Sequence, residues 1–559
     1  MWYKSISIFL ALIVLCFSSV SAQETFFVAS DGSDTNPGTM EEPLASMQKA
    51  QEMVSPGDTV YIRGGTYQVT EDQISAVVQD LFASITYLNK SGAEGNTIKY
   101  WAYPGETPLF DYSAVKPQDK RVVGIYVDGS YLHIKGLEMT GIQTTITGHT
   151  ESYCIYSKGS NNIFERLSMH DNVGTGLRHY GGGGNLFLNL DAYRNWDNVS
   201  EQGIGDNNDG FGIHPREGSE VNIIKGSRAW FNSDDGFDII RAGGPVVIDS
   251  SWAFYNGFSS TFQPLGDGNG FKAGGHAFDT EDRLPAIIPR HTIRFSVAVR
   301  NKANGFYANH HIGGNDWYNN TGYRNSSKDF NMLNRPTRED ASNIDGPGYD
   351  HVLKNNLAAA QFGDGTSNIV DSLNTQETNT WTLGISIVSD DFLSIDLEQL
   401  TAPRKADGSL PDIDLFRPAA GSEIIDAGVD IGFDFLGEAP DLGAFEADIS
   451  TGTSISPEDQ MVPDKSTLYP NYPNPFNPET AIRYALTEPG HVTLSIYNML
   501  GQKVRTLVGQ HQHAGEFIVQ WHGDDDASKQ VASGIYLYQL STSSASGTQT
   551  RQRQMILLK

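Results

Sequence analysis

A recurring asparagine is the feature that most limits how this chain can fold. Asn172, Asn195, Asn232, Asn256, Asn301 and Asn325 close short segments, most of them of the form Ala-x-x-Asn or Tyr-Arg-Asn. Intervals of 23, 24 and 24 residues separate Asn172 from Asn195, Asn232 from Asn256 and Asn301 from Asn325, and the longer gaps coincide with Gly/Pro/Asp-rich insertions at 198–208 and 259–290. A repeat of about two dozen residues with no helical spacing inside it is one coil of a parallel β-helix. Asparagines at matching places in successive coils can stack their amides and satisfy turn groups that burial would otherwise leave unpaired. The 58 glycines agree with a β-rich, turn-rich chain. The expected fold class is therefore all-β, a right-handed parallel β-helix.

A second column accompanies the first. Asp209-Gly210-Phe211, Asp235-Gly236-Phe237, Asn269-Gly270-Phe271 and Asn304-Gly305-Phe306 share a pattern, with Asp329-Phe330 as a weaker fifth member. The glycine is expected at a corner of unusual φ/ψ and the phenylalanine in the core. Side chains alternate across a strand, so the residues after the phenylalanines, Gly212, Asp238, Lys272, Tyr307 and Asn331, are expected to face outward, one per coil.

Stacking makes these columns chemical. Adjacent coils lie roughly 4.8 Å apart, so residues matched across coils become neighbours. Asp209, Asp234, Asp235 and Asp238 then converge within two coils, where four carboxylates repel one another unless a cation lies between them. An all-oxygen set without histidine or cysteine suits Ca²⁺ and disfavours zinc. Lys272 is the next outward residue along the column of Asp238. A lysine beside a bound dication loses proton affinity and becomes a competent general base. The reaction that uses this pair is β-elimination on a uronic acid: a cation on the C6 carboxylate acidifies the C5 proton, Lys272 removes it, and the C4–O bond breaks. His214, Arg216 and Arg241 lie close in sequence and are candidates for holding substrate carboxylates. Taken singly, Asp and Asn at coil corners commonly cap turns, and a strand lysine or surface arginine is commonly just solvated. The joint arrangement carries the reading.

Charge narrows the partners. With 39 basic and 67 acidic side chains the formal charge is −28, which argues against nucleic acid. An anionic glycan would be repelled at long range, and a bound divalent cation answers that problem locally.

The ends of the chain have their own signals. Residues 1–22 combine Lys4, an apolar run from Ile6 to Phe17 and the small-residue ending Val20-Ser21-Ala22, the pattern of a secretory signal peptide cut before Gln23. A signal anchor is the alternative, but the run is short for a membrane span. Cys16 falls in this segment behind Val14 and Leu15, unlike a lipoprotein site, which leaves Cys154 alone and excludes a disulfide in the mature chain. Leu44, Met47, Ala50 and Met53-Val54 recur at helical spacing before Pro56-Gly57-Asp58, as a helix capping the open end of the coils would. The coils are expected to continue, less regularly, through Asp350–Lys354 to Phe445. The expected domains are the β-helix at 23–449, a linker at 450–467 rich in Ser, Thr, Pro and Asp, and a small β-sandwich of alternating strands at 468–559. No later stretch is apolar enough to cross a bilayer, so an exported monomer without a transmembrane anchor is expected.

The stretches Asn208–Phe211, Asn232–Asp238, Gly266–Lys272 and Asn301–Phe306 resemble the family 9 polysaccharide lyases, which include pectate lyases and rhamnogalacturonan lyases. The resemblance covers about Phe26 to Glu446. It implies that Asp209, Asp234, Asp235 and Asp238 are calcium ligands, that Lys272 is the catalytic base, and that the substrate is pectate or a related acidic plant polysaccharide. One departure bears on substrate: many pectate lyases of that family follow Asp-Gly-Phe with Ala-Ala-Lys, and here Gly212-Ile213-His214 follows Phe211, which keeps rhamnogalacturonan open. Tyr472–Pro478, Asn498–Gln502 and Gly534–Tyr536 resemble type A sorting domains of the type IX secretion system. That resemblance implies a Gram-negative host, contact with the secretion machinery, and release or attachment at the cell surface. A carbohydrate-binding or spacer sandwich is the alternative for the same strands.

Two rival functions fit the same fold. A glycoside hydrolase would use Asp234 and Asp235 as acid and base and need no calcium. A non-catalytic glycan-binding surface protein would be indifferent to the loss of Lys272.

Overall fold

The computed structural model describes residues 23–148, 151–199, 201, 205–279, 283–335, 345–361, 363, 365–447, 466–469, 471, 476, 480–498, 501–512, 515–526, 529–544 and 547–557. The signal peptide expected at 1–22, nearly all of the expected linker and most of the Tyr472–Pro478 motif lie outside them. The chain divides into two compact units between Asp448 and Ile449.

In the first unit, three sheets of 12, 10 and 11 strands are built from very short strands paired in parallel. Each coil contributes one strand to each sheet. Phe211–Ile213, Asn222–Lys225 and Arg228–Trp230 make one coil, and Phe237–Asp238, Val246–Asp249 and Trp252–Phe254 make the next, paired residue for residue with the first. This is the expected right-handed parallel β-helix, with the handedness that crossovers between parallel strands take. One antiparallel hairpin, Ala76–Val78 with Phe82–Leu88, edges the eleven-stranded sheet.

The core between the sheets is a set of like-on-like stacks. Phe211, Phe237, Phe271, Phe306 and Phe330 follow one another at ring separations of 5.0, 4.8, 5.0 and 4.7 Å, all buried. The expected asparagine column is an unbroken ladder. Each side-chain amide donates to the next carbonyl oxygen, from Asn172 to Asn195 (2.8 Å), Asn232 (2.9 Å), Asn256 (3.0 Å), Asn301 (3.0 Å) and Asn325 (2.9 Å). Asn325 completes it by donating to Asp329 Oδ1 at 2.8 Å.

A helix at Met47–Met53, N-capped by the Ser46 hydroxyl, buries Met47 and Ala50 against the first coils. Leu44 does not belong to this helix; it bridges Val28 in parallel fashion.

The coils end earlier than the sequence suggested. The last rungs are Thr366–Ser367 and Thr375–Glu377, followed by a short helix at Thr380–Leu383. Residues 385–447 form no further coil. They cover the outer face of the ten-stranded sheet, where Phe392, Leu400, Leu415, Phe416, Ile424 and Leu442 pack with Trp252, Phe254, Val299, Tyr323 and Leu357. That face is aromatic and aliphatic rather than polar, so leaving it in water would forfeit roughly 1.5–3 kcal/mol for each large side chain. Two arginines pin the cover: Arg404 pairs with Asp191 at 2.7 Å, and Arg228 pairs with Asp191 while donating to the carbonyls of Leu400 and Ala402.

The second unit is antiparallel. A three-stranded sheet (Thr467–Leu468, Thr480–Leu486, Gly515–Trp521) and a four-stranded sheet (Gly490–Asn498, Lys503–Gln512, Gly534–Ser544, Gly547–Leu557) share a core that includes Ile482, Tyr484, Leu494, Trp521 and Tyr538. Among the described residues no helix is long and apolar enough to cross a membrane.

Candidate active site

The candidate site lies on the outer face of the eleven-stranded sheet. The register places Arg178, Gly212, Asp238, Lys272, Tyr307, Asn331 and Ser367 on consecutive rungs of one outward column. The glycines that precede the phenylalanines are needed for a different reason than the one expected. Gly210, Gly236, Gly270 and Gly305 are not among the residues with positive φ. A Cβ on Gly236 would instead lie 2.8 Å from both the Gly270 carbonyl oxygen and the Asn256 amide nitrogen, with similar close approaches at the other three. Glycine is required there because the asparagine ladder and the next coil fill the space, which no preference for φ could reveal.

Asp209, Asp234 and Asp235 are buried and present carboxylate oxygens within 4.8 Å of one another. The backbone orients them. Asp209 Oδ1 accepts from the Asp235 amide at 3.1 Å, Asp234 accepts from the Asn207 and Asp267 amides at 2.7 and 2.9 Å, and Asp235 Oδ1 accepts from the Asn269 amide at 2.6 Å. Asp238 stands outside this cluster of three, its Oδ1 held by the Ile240 amide at 2.7 Å. Lys272 joins the two parts. Its Nζ lies 2.8 Å from Asp235 Oδ2, 3.9 Å from Asp238 Oδ2 and 4.0 Å from Asp267 Oδ2, and its side chain is 11% exposed.

Burial and mutual repulsion push the carboxyls of Asp209 and Asp234 well above the usual aspartate range, and burial raises Asp238 to about 6. Burial also disfavours the Lys272 ammonium, but Asp235, Asp238, Asp234 and Asp209 outweigh it and hold the proton above the usual lysine range. Acids this crowded and desolvated, with a lysine against them, fit a hard dication: the donors are all oxygen, backbone N–H groups fix their orientation, and a cation would offset the burial and repulsion that raise Asp209, Asp234 and Asp238.

The three substrate-binding candidates fare differently. His214 is buried. Its Nδ1–H donates to the Ile240 carbonyl at 2.7 Å, and its Nε2 fills the space where a Cβ on Gly212 would come within 2.9 Å. Burial and the nearby Arg178 keep its ring neutral. It braces one coil against the next. Arg216 is exposed and lies over the Tyr180 ring at 5.8 Å. Arg241 has a half-exposed side chain and pairs with Asp279 at 3.1 Å. Sequence reading missed two residues near the centre. Arg178 is on the outward column one rung beyond Gly212, held by Glu151 at 2.7 Å. Its signal was the pair Gly176-Leu177, in which leucine takes the place of phenylalanine. Asp267 reaches Lys272 from the stretch before the Asn269-Gly270-Phe271 corner.

The hydrolase reading does not fit this geometry. An acid and a base across a glycosidic bond must both reach the substrate, whereas Asp234 and Asp235 are buried, at 6% and 0% exposure, in one cluster with Asp209.

Comparison with known proteins places the fold and the family. Residues 477–546 match the FlgD Ig-like domain. The chain is 35% identical over 434 residues to pectate lyase L of Dickeya chrysanthemi, covering 77% of this chain and 92% of that protein. It is 31% identical over 446 residues to pectate lyase PEL9 of Emericella nidulans, covering 75% and 97%. Among solved structures, a rhamnogalacturonan lyase aligns with TM-score 0.68 and 40% identity over 71% of this chain and 97% of that one. The pectate lyase Pel9A aligns with TM-score 0.61 and 33% identity over 77% and 98%. Residues 26–359 match the model of the Pel9A-like right-handed β-helix region, and the chain belongs to that family of polysaccharide lyases.

Proposed function

We propose that this chain is a calcium-dependent lyase that cleaves pectic homogalacturonan by β-elimination, with Lys272 as the base. The observation that carries the reading is the placement of the Lys272 amine, on a side chain that keeps some exposure, against the buried acids Asp209, Asp234, Asp235 and Asp238. These four aspartates would hold the cation, which when bound neutralises them and acidifies the C5 proton of the uronate it engages. Lys272 takes that proton; its amine is positioned by Asp235 at 2.8 Å. Arg178, one rung beyond Gly212, offers positive charge to a second substrate carboxylate.

Rhamnogalacturonan is the second reading, favoured by the Gly212-Ile213-His214 stretch and by the likeness to a rhamnogalacturonan lyase. Residues 1–22 would direct export. The antiparallel unit from Ile449 onward would serve as a secretion sorting domain that delivers the enzyme to the medium or the cell surface, a role supported by its resemblance to type A sorting domains.

The test is ultraviolet absorbance of the conjugated unsaturated product on a panel of pectic polymers, with calcium and with chelator. A rise that requires calcium is expected, and the polymer that gives it decides between the two substrates. No rise on any polymer with calcium supplied would overturn the assignment and leave the non-catalytic glycan-binding reading.

A further inference from the structure

We propose that Tyr307 is the proton donor to the departing glycosidic oxygen. This rests on the reading of Lys272 as the base and extends it to the second half of the reaction. Tyr307 pairs in register with Lys272 on the adjacent rung, so the two side chains leave the same face of the sheet roughly 4.8 Å apart. Both follow phenylalanines stacked at 5.0 Å, Phe271 and Phe306, which fixes the backbone beneath them. The Tyr307 side chain is half-buried, and its hydroxyl makes no hydrogen bond to any described residue. Its charged surroundings are those of the site, Lys272, Asp235, Asp267 and Asp345, and burial pushes the phenol up to about 12, so it carries its proton at any working pH.

The chemistry needs such a group. In a 4-linked galacturonate the C5–H and C4–O bonds stand axial on opposite faces of the ring. The amine that removes the C5 proton from one face therefore cannot return it to the oxygen leaving the other. A donor on a different rung is required: Asp235 and Asp238 are assigned to the cation, and Asp267 stands in the stretch before the Phe271 corner with a largely exposed side chain. In the step proposed, the C5–H electrons form the C4=C5 double bond and the C4–O pair departs onto oxygen. The Tyr307 hydroxyl proton passes to that oxygen, and water reprotonates the phenolate. Donor and leaving group are compatible, since the oxygen departs on C1 of the neighbouring sugar as a hemiacetal hydroxyl of acidity comparable to this phenol, which still carries a proton to give it.

The experiment compares Tyr307→Phe and Lys272→Met on two substrates: the pectic polymer on which the wild-type enzyme is active, and a short uronide whose C4 leaving group is a nitrophenol that departs without a proton. Tyr307→Phe should lower kcat on the polymer by about 10²-fold with little change in KM, retain the wild-type thermal midpoint, and act within a few-fold of wild type on the aryl ether. Lys272→Met should lose about 10²–10⁴-fold on both. Equal losses of Tyr307→Phe on the two substrates, or no loss on the polymer, would overturn the donor role while leaving Lys272 in place. Turnover by Lys272→Met close to the wild-type rate would instead remove the base on which the proposal rests.

Discussion

The Lys272 ammonium lies 2.8 Å from Asp235 Oδ2, on the one carboxylate of the cluster that is wholly buried. The contact gives the lysine two jobs. Before a cation is bound it supplies positive charge to acids that would otherwise face one another bare. As the proposed base it must give up its proton, which the same acids oppose.

Lys272→Met should therefore show two separable effects. Turnover should fall by about 10²–10⁴-fold, the range for loss of a general base, while binding of the polymer in calcium is largely kept. In chelator the variant should melt below wild type, because a buried carboxylate cluster has lost its only lysine, and calcium should close that gap. Steady-state assays and thermal denaturation with and without calcium check both. A variant as stable as wild type in chelator would mean that Lys272 contributes nothing to holding the acids together.

Calcium should stabilise the protein more as pH rises. The carboxyls of Asp209 and Asp234 are raised well above their ordinary value, and that of Asp238 to about 6. In the cation-free fold these groups hold protons that the unfolded chain has already released. Their contribution to stability is thus complete below the ordinary aspartate value of 3.8 and is lost as pH climbs through the raised values. A cation needs the deprotonated form and displaces those protons, so its affinity rises over the same window. The gain in thermal midpoint on adding calcium should be small near pH 5 and larger near pH 8. Measuring that gain across the range, with proton release followed in weak buffer, tests the linkage; a gain that shrinks toward alkaline pH would count against these carboxylates as the ligands.

The coil and its outward column are legible in the sequence because each depends on one residue type recurring at one place. Asn at the ladder and Phe behind Gly need no knowledge of partners. Where the residue type varies, the period disappears. A second ladder runs through Ser227, Ser251, Ser296, Asn320, Asn356 and Asn379, each side-chain oxygen accepting from the backbone of the rung before, and its mixture of serine and asparagine conceals it. Arg178 was hidden by leucine at Leu177. The cover formed by 385–447 depends on the apolar outer face of the ten-stranded sheet, a property of three-dimensional packing that no local pattern announces.

Asn256→Ala should be among the most damaging changes away from the site. Asn256 is fully buried. Its Oδ1 accepts from the Asn232 amide at 3.0 Å, and its Nδ2 donates to the Ala229 carbonyl at 3.0 Å and to Asn301 Oδ1 at 3.0 Å. Alanine leaves those groups without partners in the interior, at about 1–3 kcal/mol each. A total loss of ~3 kcal/mol or more is expected in denaturant unfolding, with kcat on the surviving folded fraction nearly unchanged.

Gly236→Ala distinguishes lack of space from backbone preference as the reason for glycine at the corner. Its φ is one that alanine adopts freely, and in such a position the exchange normally stabilises by about 0.4–1 kcal/mol through the unfolded chain. Here the added methyl would meet the Gly270 carbonyl oxygen and the Asn256 amide nitrogen, both at 2.8 Å, and the Ala253 methyl at 3.1 Å. Two of those contacts are to groups that cannot retreat without breaking the ladder or shifting the coil that carries Phe271 and Lys272. The substitution should therefore destabilise despite its ordinary backbone. It should also lower turnover more than Asn256→Ala does, because it moves the rung on which the catalytic amine stands. Denaturant unfolding and steady-state rates of the two variants side by side give the answer, and a Gly236→Ala enzyme more stable than wild type would refute the packing account.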